Sequence, residues 1–148
     1  MQLSLKGRAL RYLAAREHSR AELERKLRGP DTDAGELART LDELEAKGFI
    51  SAERVAESVL HRRSGRFGAA RIGRELQDKG LDAGTVQRSV ASLLGTEYER
   101  ARDVWRRKFG EPAPDAAGRA KQMRFLAARG FGADVIRRVV AGAGDDDD

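Results

Sequence analysis

Cysteine is absent from the chain, which excludes disulfides and thiolate metal sites. Histidine occurs only at His18 and His61, and neither has a second ligand at metal spacing. His18 sits in a turn ahead of a capping serine, where a polar surface residue is expected. His61 falls in a basic helix end. Aromatic residues make up 5% of the 148 residues, so any core is thin and aliphatic. The β-branched residues are few and scattered, which argues against a sheet. No apolar run approaches the roughly 20 residues of a membrane span; 90–95 is a typical maximum. Gly65, Gly68 and Gly73 lack phosphate-loop spacing, and no strand precedes them. Asp31, Asp33 and Glu36 lack the ligand pattern of a calcium loop. No catalytic constellation is present, so an enzyme is the weakest reading, and neither cofactor nor metal is expected.

Charge is present in excess and unevenly placed. Residues 1–60 carry 11 basic and 11 acidic side chains, whereas residues 61–144 carry 18 basic and 9 acidic. Four aspartates at 145–148 then close the chain. A basic C-terminal two-thirds points to a polyanionic partner. The first sixteen residues are basic and amphipathic, a little like a transit peptide, but read better as a first helix.

The chain repeats itself. Leu76, Lys79, Gly80, Leu81, Val86, Arg88 and Val90 map onto Leu126, Arg129, Gly130, Phe131, Ile136, Arg138 and Val140 at an offset of fifty. Leu23, Arg25, Leu27, Leu37, Arg39 and Leu41 map onto Ile72, Arg74, Leu76, Val86, Arg88 and Val90 at forty-nine. Units of this size are marginal alone and lean on their neighbours. The expected organisation is an all-α array of three units, 1–50, 51–95 and 96–144, with a disordered acidic tail at 145–148.

Local signals divide each unit into helices. The first helix is expected over 3–16 with Leu10, Leu13 and Ala14 inward. Ser19 and Glu22 form a capping box for the second, which Gly29 and Pro30 stop. Asp33 and Glu36 repeat that cap spacing before a third helix carrying Leu37, Leu41 and Leu44. Phe49 and Ile50 bridge to the second unit. There, Ser51 caps a helix with Val55, Val59 and Leu60 inside. Residues 65–81 read as one short amphipathic helix with Ile72 and Leu76 on its buried face and Gly80 as a left-handed cap. Asp82 caps the next, with Val86, Val90, Leu93 and Leu94 inward. The last unit opens over 98–109, where Ala101, Val104, Trp105 and Phe109 share a face. Residues 111–115 form a loop, and helices at 116–129 and 133–141 follow.

Several stretches together resemble the RecX family of recombination regulators. Residues 16–27 (R-E-H-S-R-A-E-L-E-R-K-L) look like its N-terminal signature. Residues 47–54 (K-G-F-I-S-A-E-R), Ala56, Glu57 and 71–80 (R-I-G-R-E-L-Q-D-K-G) look like its central block. Lys108, Phe109 and 124–131 (R-F-L-A-A-R-G-F) look like its closing block. Ala52 and Val55 stand where the family pattern has Asp and Phe. The resemblance implies three tandem three-helix repeats in an elongated, curved array. It also implies binding to RecA and to the groove of the RecA–DNA filament, with filament growth, ATP hydrolysis and strand exchange reduced. A cytoplasmic monomer with some direct binding to single- or double-stranded DNA is the corresponding expectation.

Candidate contacts are the basic side chains of the second and third units: Arg62, Arg63, Arg66, Arg71, Arg74, Arg106, Arg107, Lys108 and Arg124. The alternative is a helix-turn-helix DNA-binding regulator, against which no unit shows a polar recognition helix. A helical scaffold for another protein is a third reading.

Overall fold

Turn chemistry divides the chain into short helices, and the computed structural model describes residues 3–142 of them. Nine α-helices and no strand occur among the described residues. They are α1 (Leu5–Ala15), α2 (Arg20–Leu27), α3 (Ala34–Ala46), α4 (Ala52–Arg63), α5 (Ala69–Asp78), α6 (Ala83–Leu94), α7 (Glu97–Lys108), α8 (Ala116–Ala128) and α9 (Ala133–Gly142). The acidic segment at 145–148 lies outside the described residues.

Side-chain oxygens cap most of the helix starts. Ser19 accepts from the Glu22 amide while the Glu22 carboxylate accepts from the Ser19 amide, closing the expected box. Ser51, Asp82 and Asp115 accept from amides three residues on. Asp33 instead accepts from the Gly35 amide, and no reciprocal bond from Glu36 forms among the described residues. The helix expected over 65–81 begins later, at Ala69, because residues 64–66 form a turn.

Each trio of helices encloses its own apolar cluster. Ala9, Leu23, Leu27, Leu37, Leu41, Leu44 and Ile50 form the first. Ala56, Val59, Ala69, Ile72, Leu76, Val86 and Leu93 form the second. Ala101, Val104, Trp105, Leu126, Phe131, Ile136, Val139 and Val140 form the third. Truncating a fully buried leucine such as Leu23 or Leu126 to alanine costs about 2–5 kcal/mol.

The burial pattern departs from the sequence expectation at several points. Ala9 is the buried residue of α1, while Leu10 and Leu13 are half-buried and Ala14 is exposed. Leu94 is 58% exposed, since Leu93 already points into the core and its neighbour must turn outward. Phe49 is also exposed, and Ile50 is buried in the first unit's own cluster. His18 is 1% exposed. Its Nδ1 donates to the Arg16 carbonyl at 3.1 Å, its Nε2 accepts from Lys26 at 2.9 Å, and its ring packs against Tyr12. This tautomer is assigned from the bonding partners. Val55 is buried.

The trios are joined through their middle helices. The C-terminus of α5 meets the N-terminus of α2, and the C-terminus of α8 meets the N-terminus of α5. In the first joint, Ser19 Oγ donates to the Lys79 carbonyl at 2.6 Å. In the second, the Gly68 amide donates to the Arg129 carbonyl at 2.8 Å. The glycines at the joints permit the approach. Gly80 (φ +78°) and Gly130 (φ +89°) are left-handed caps. A Cβ on Gly80 would lie 2.5 Å from Ala21 Cβ, and one on Gly68 would lie 2.3 Å from the Gly130 oxygen. The three middle helices thus form a head-to-tail column running α8, α5, α2.

Candidate functional site

The second joint is where the basic residues gather. Its framework comes from the first turn of α7. Glu97 is almost fully buried. Its Oε1 accepts from the Ala69 amide at 2.6 Å, opening α5, and its Oε2 from the Gly132 amide at 3.2 Å, just ahead of α9. Arg100, three residues on, does the reverse. Its guanidinium donates to the carbonyls of Ser64 at 2.8 Å, Phe67 at 2.7 Å and Leu93 at 3.0 Å. A carboxylate therefore serves two helix N-termini, and a guanidinium serves the C-terminal carbonyls of α4 and α6. Both placements match the helix dipoles.

Over this framework lies a ladder of cations and rings. The Arg71 guanidinium sits 4.1 Å from the centre of the Phe67 ring, with Arg129 at 5.4 Å and Arg63 at 5.7 Å. Arg129 also lies 5.0 Å from the Phe125 ring, which Lys108 approaches at 5.4 Å. Phe109 meets Phe125 edge to face. Arg71 donates across the joint to the Ala128 carbonyl at 3.3 Å, and Arg107 to the Gly65 carbonyl at 2.8 Å. Among the described residues, Arg63 alone of the arginines on the Phe67 ring reaches a carboxylate, Glu75 at 3.2 Å. Cation–ring contacts hold guanidiniums in place while leaving their donors open.

Of the nine candidate residues, Arg63, Arg71, Arg107 and Lys108 belong to this cluster. Arg62, Arg66, Arg74 and Arg124 are exposed and make no ion pair among the described residues. Arg74 lines a shallow cleft with Arg71, Glu75 and Asp78. Arg106 is exposed on α7. Sequence reasoning missed Arg129, Glu97 and Arg100. Arg129 had a signal, since the repeat aligns it with Lys79 at a helix end. Glu97 and Arg100 had none, because their partners are backbone groups distant in the chain.

The first joint uses the same geometry with different charge. Glu22 pairs with Arg16 at 2.9 Å and with Lys79 at 3.5 Å. Arg54 pairs with Glu17 at 2.8 Å. Burial by itself would raise the Glu22 carboxyl, but the Ser19 amide, Arg16 and Lys79 outweigh it and hold it at about 2.

No group of three or more His, Cys, Asp or Glu that could hold a metal occurs among the described residues, nor any helix long and apolar enough to cross a membrane. A surface of cations, rings and backbone bonds is suited to binding.

Comparison with known proteins agrees with the architecture. Residues 6–44 match the family model for the first three-helix domain of RecX, and residues 96–140 the one for the third. The chain is 55% identical over 139 residues to the regulatory protein RecX of Leptothrix cholodnii, covering 94% of this chain and 88% of that protein. It is 47% identical to that of Herminiimonas arsenicoxydans, covering 100% and 98%. The crystal structure of RecX from Lactobacillus salivarius superposes with a TM-score of 0.82 at 20% identity, covering 95% of this chain and 94% of the other. With two family domains matched and identities near one half across almost the whole length, this chain belongs to the RecX family of regulatory proteins.

Proposed function

We propose that this protein regulates homologous recombination by binding RecA and lodging along the RecA–DNA filament, where it lowers filament growth, ATP hydrolysis and strand exchange. Membership of the RecX family over nearly the whole chain carries the reading. The arrangement of the site supports it. Three trios in a row, acting as units 1–50, 51–95 and 96–144, offer a long surface suited to a filament groove. The cation–ring ladder supplies donors for the DNA backbone without demanding a base sequence. A cytoplasmic monomer working without metal or nucleotide fits this role.

The test is RecA's DNA-dependent ATPase with and without the protein. The rate falls as the protein is added, and the protein alone hydrolyses no ATP. An ATPase rate unchanged at a several-fold molar excess over RecA refutes the reading.

A further inference from the structure

The repeat allows the two joints to be compared position by position. Ser19 and Gly68 are the N-caps of α2 and α5, and Lys79 and Arg129 are the C-caps of α5 and α8. The offset of forty-nine that relates the first caps carries Glu22 onto Arg71. The offset of fifty that relates the second carries Lys79 onto Arg129. At the first joint these positions hold an ion pair, Glu22 with Lys79. At the second they hold two arginines.

The exchange of a carboxylate for a guanidinium leaves the second joint short of negative charge. Arg71 and Arg129 share the Phe67 ring, with Arg63 as a third cation. Arg100 and Arg107 add charge through their carbonyl contacts. The carboxylates nearby are Glu75, taken by Arg63, Glu97, taken by two backbone amides with Arg100 at 3.9 Å, and Asp78, which lines the cleft of Arg71 and Arg74 without an ion pair among the described residues. Neither Arg71 nor Arg129 has a carboxylate partner among the described residues. At the first joint Glu17 and Glu22 pair with Arg54, Arg16 and Lys79, and Arg25 rests on the Asp78 carbonyl, so the larger surplus at the second joint is no requirement of the architecture.

We propose that a phosphate of a nucleic-acid backbone fills this deficit, seated across the joint between Arg71 and Arg129 in the role Glu22 plays at the first joint. A tetrahedral oxyanion matches the planar donor fork of a guanidinium. Arg62, Arg66 and Arg74, exposed and without ion pairs among the described residues, favour a continuous polyanion over an isolated acidic side chain. Because Arg71 belongs to the second trio and Arg129 to the third, one phosphate touches both sides of the joint. The proposal rests on the nucleic-acid part of the function given above.

Arg71→Glu is the decisive variant, since it gives the second joint the first joint's chemistry. The introduced carboxylate would pair with Arg129 and leave the phosphate no seat. The melting temperature should hold or rise. Binding of an oligothymidylate should weaken, and its log–log salt slope should flatten by about 0.7 for each lost phosphate contact. Arg71→Gln with Arg129→Gln should weaken binding similarly without the compensating pair, while Arg119→Gln with Lys121→Gln, a control at the far end of α8, should weaken it less. Wild-type affinity and slope in Arg71→Glu, or an equal loss in the control, overturns the proposal. So does tight binding of inorganic pyrophosphate at matched ionic strength with no displacement by oligothymidylate. Loss of DNA-free RecA binding with oligothymidylate binding intact also overturns it, because the ligand is then an acidic protein side chain. These assays contain no nucleotide turnover, so their failure is separate from failure of the ATPase test.

Discussion

Glu97→Gln should weaken the second joint more than any other change of a single atom. The substitution keeps the shape of the side chain and replaces one acceptor oxygen with a donor NH2. In the native chain both carboxylate oxygens accept from backbone amides, those of Ala69 and Gly132. Glutamine can satisfy only one of them, and its NH2 must then face the other N–H. A hydrogen bond to a charged group contributes about 1.5–3 kcal/mol. Losing the negative charge at two helix N-termini removes about 0.3–1 kcal/mol from each. Together the cost is about 2–5 kcal/mol, against a total stability of roughly 5–15 kcal/mol. For a chain of this length each kcal/mol moves the melting temperature by about 2–4 °C, so a fall of roughly 4–20 °C is expected. Calorimetry measures it, with Glu99→Gln as an exposed control in the same helix turn. Hydrogen exchange adds location: the Ala69 and Gly132 amides should exchange faster, while amides inside α1–α3 should not change. A melting temperature within about 2 °C of the wild type would refute the assignment of Glu97 as the clamp of this joint.

Acid should open the first joint. The Glu22 carboxyl is held at about 2 against an ordinary 4.5, so its contribution is complete above pH 4.5 and is lost as pH falls toward 2. Glu22→Gln should be less stable than wild type at pH 6, and the gap should close by pH 2; a gap independent of pH contradicts the pairing. Burial lowers the pKa of His18, with the Arg16 carbonyl opposing and Arg16 and Lys26 adding to the effect. Stability should therefore be full above pH 6.5 and decline as pH falls below it, since the unfolded chain protonates first. Melting curves of His18→Gln should lack that decline, and parallel pH profiles would count against it. Gly48 and Gly130 both have positive φ, but a Cβ on Gly48 meets nothing within 4 Å while one on Gly130 lies 2.4 Å from Arg71 Cβ. Gly48→Ala should cost about 1–2 kcal/mol for the left-handed backbone and Gly130→Ala clearly more; equal costs would show that the joint yields.

The elements that the sequence announced are those with local causes. The capping box at Ser19, the proline stop at Pro30 and the left-handed cap at Gly80 each act within a few residues, and each appears in the structure. The fifty-residue offset reported the joints as well as the cores, because Gly80 and Gly130 are constrained by contact between trios. Side chains whose partners are backbone groups far along the chain were illegible. His18 looked like a turn residue, because nothing near it in sequence reveals that Tyr12 and Lys26 enclose it. Leu94 looked inward because it is apolar, although Leu93 already occupies that direction. At the candidate site, the arginines were visible as composition, but their convergence on Phe67 was not. A lone phenylalanine between glycines gives no sign that three cations surround it.

The column of middle helices has two ends, and neither resembles a joint. At one, α2 closes with Arg28 in an extended conformation followed by Gly29 and Pro30, without the left-handed glycine that lets α5 and α8 reach a neighbour. At the other, α8 is capped by its own Asp115, and Ala113 lies where a Cβ on Gly118 would come within 2.9 Å. Neither end therefore offers the cation–glycine–apolar turn by which α5 and α8 reach a neighbour, and installing such a turn at 28–30 would give α2 a C-terminus of the kind that joins the described trios.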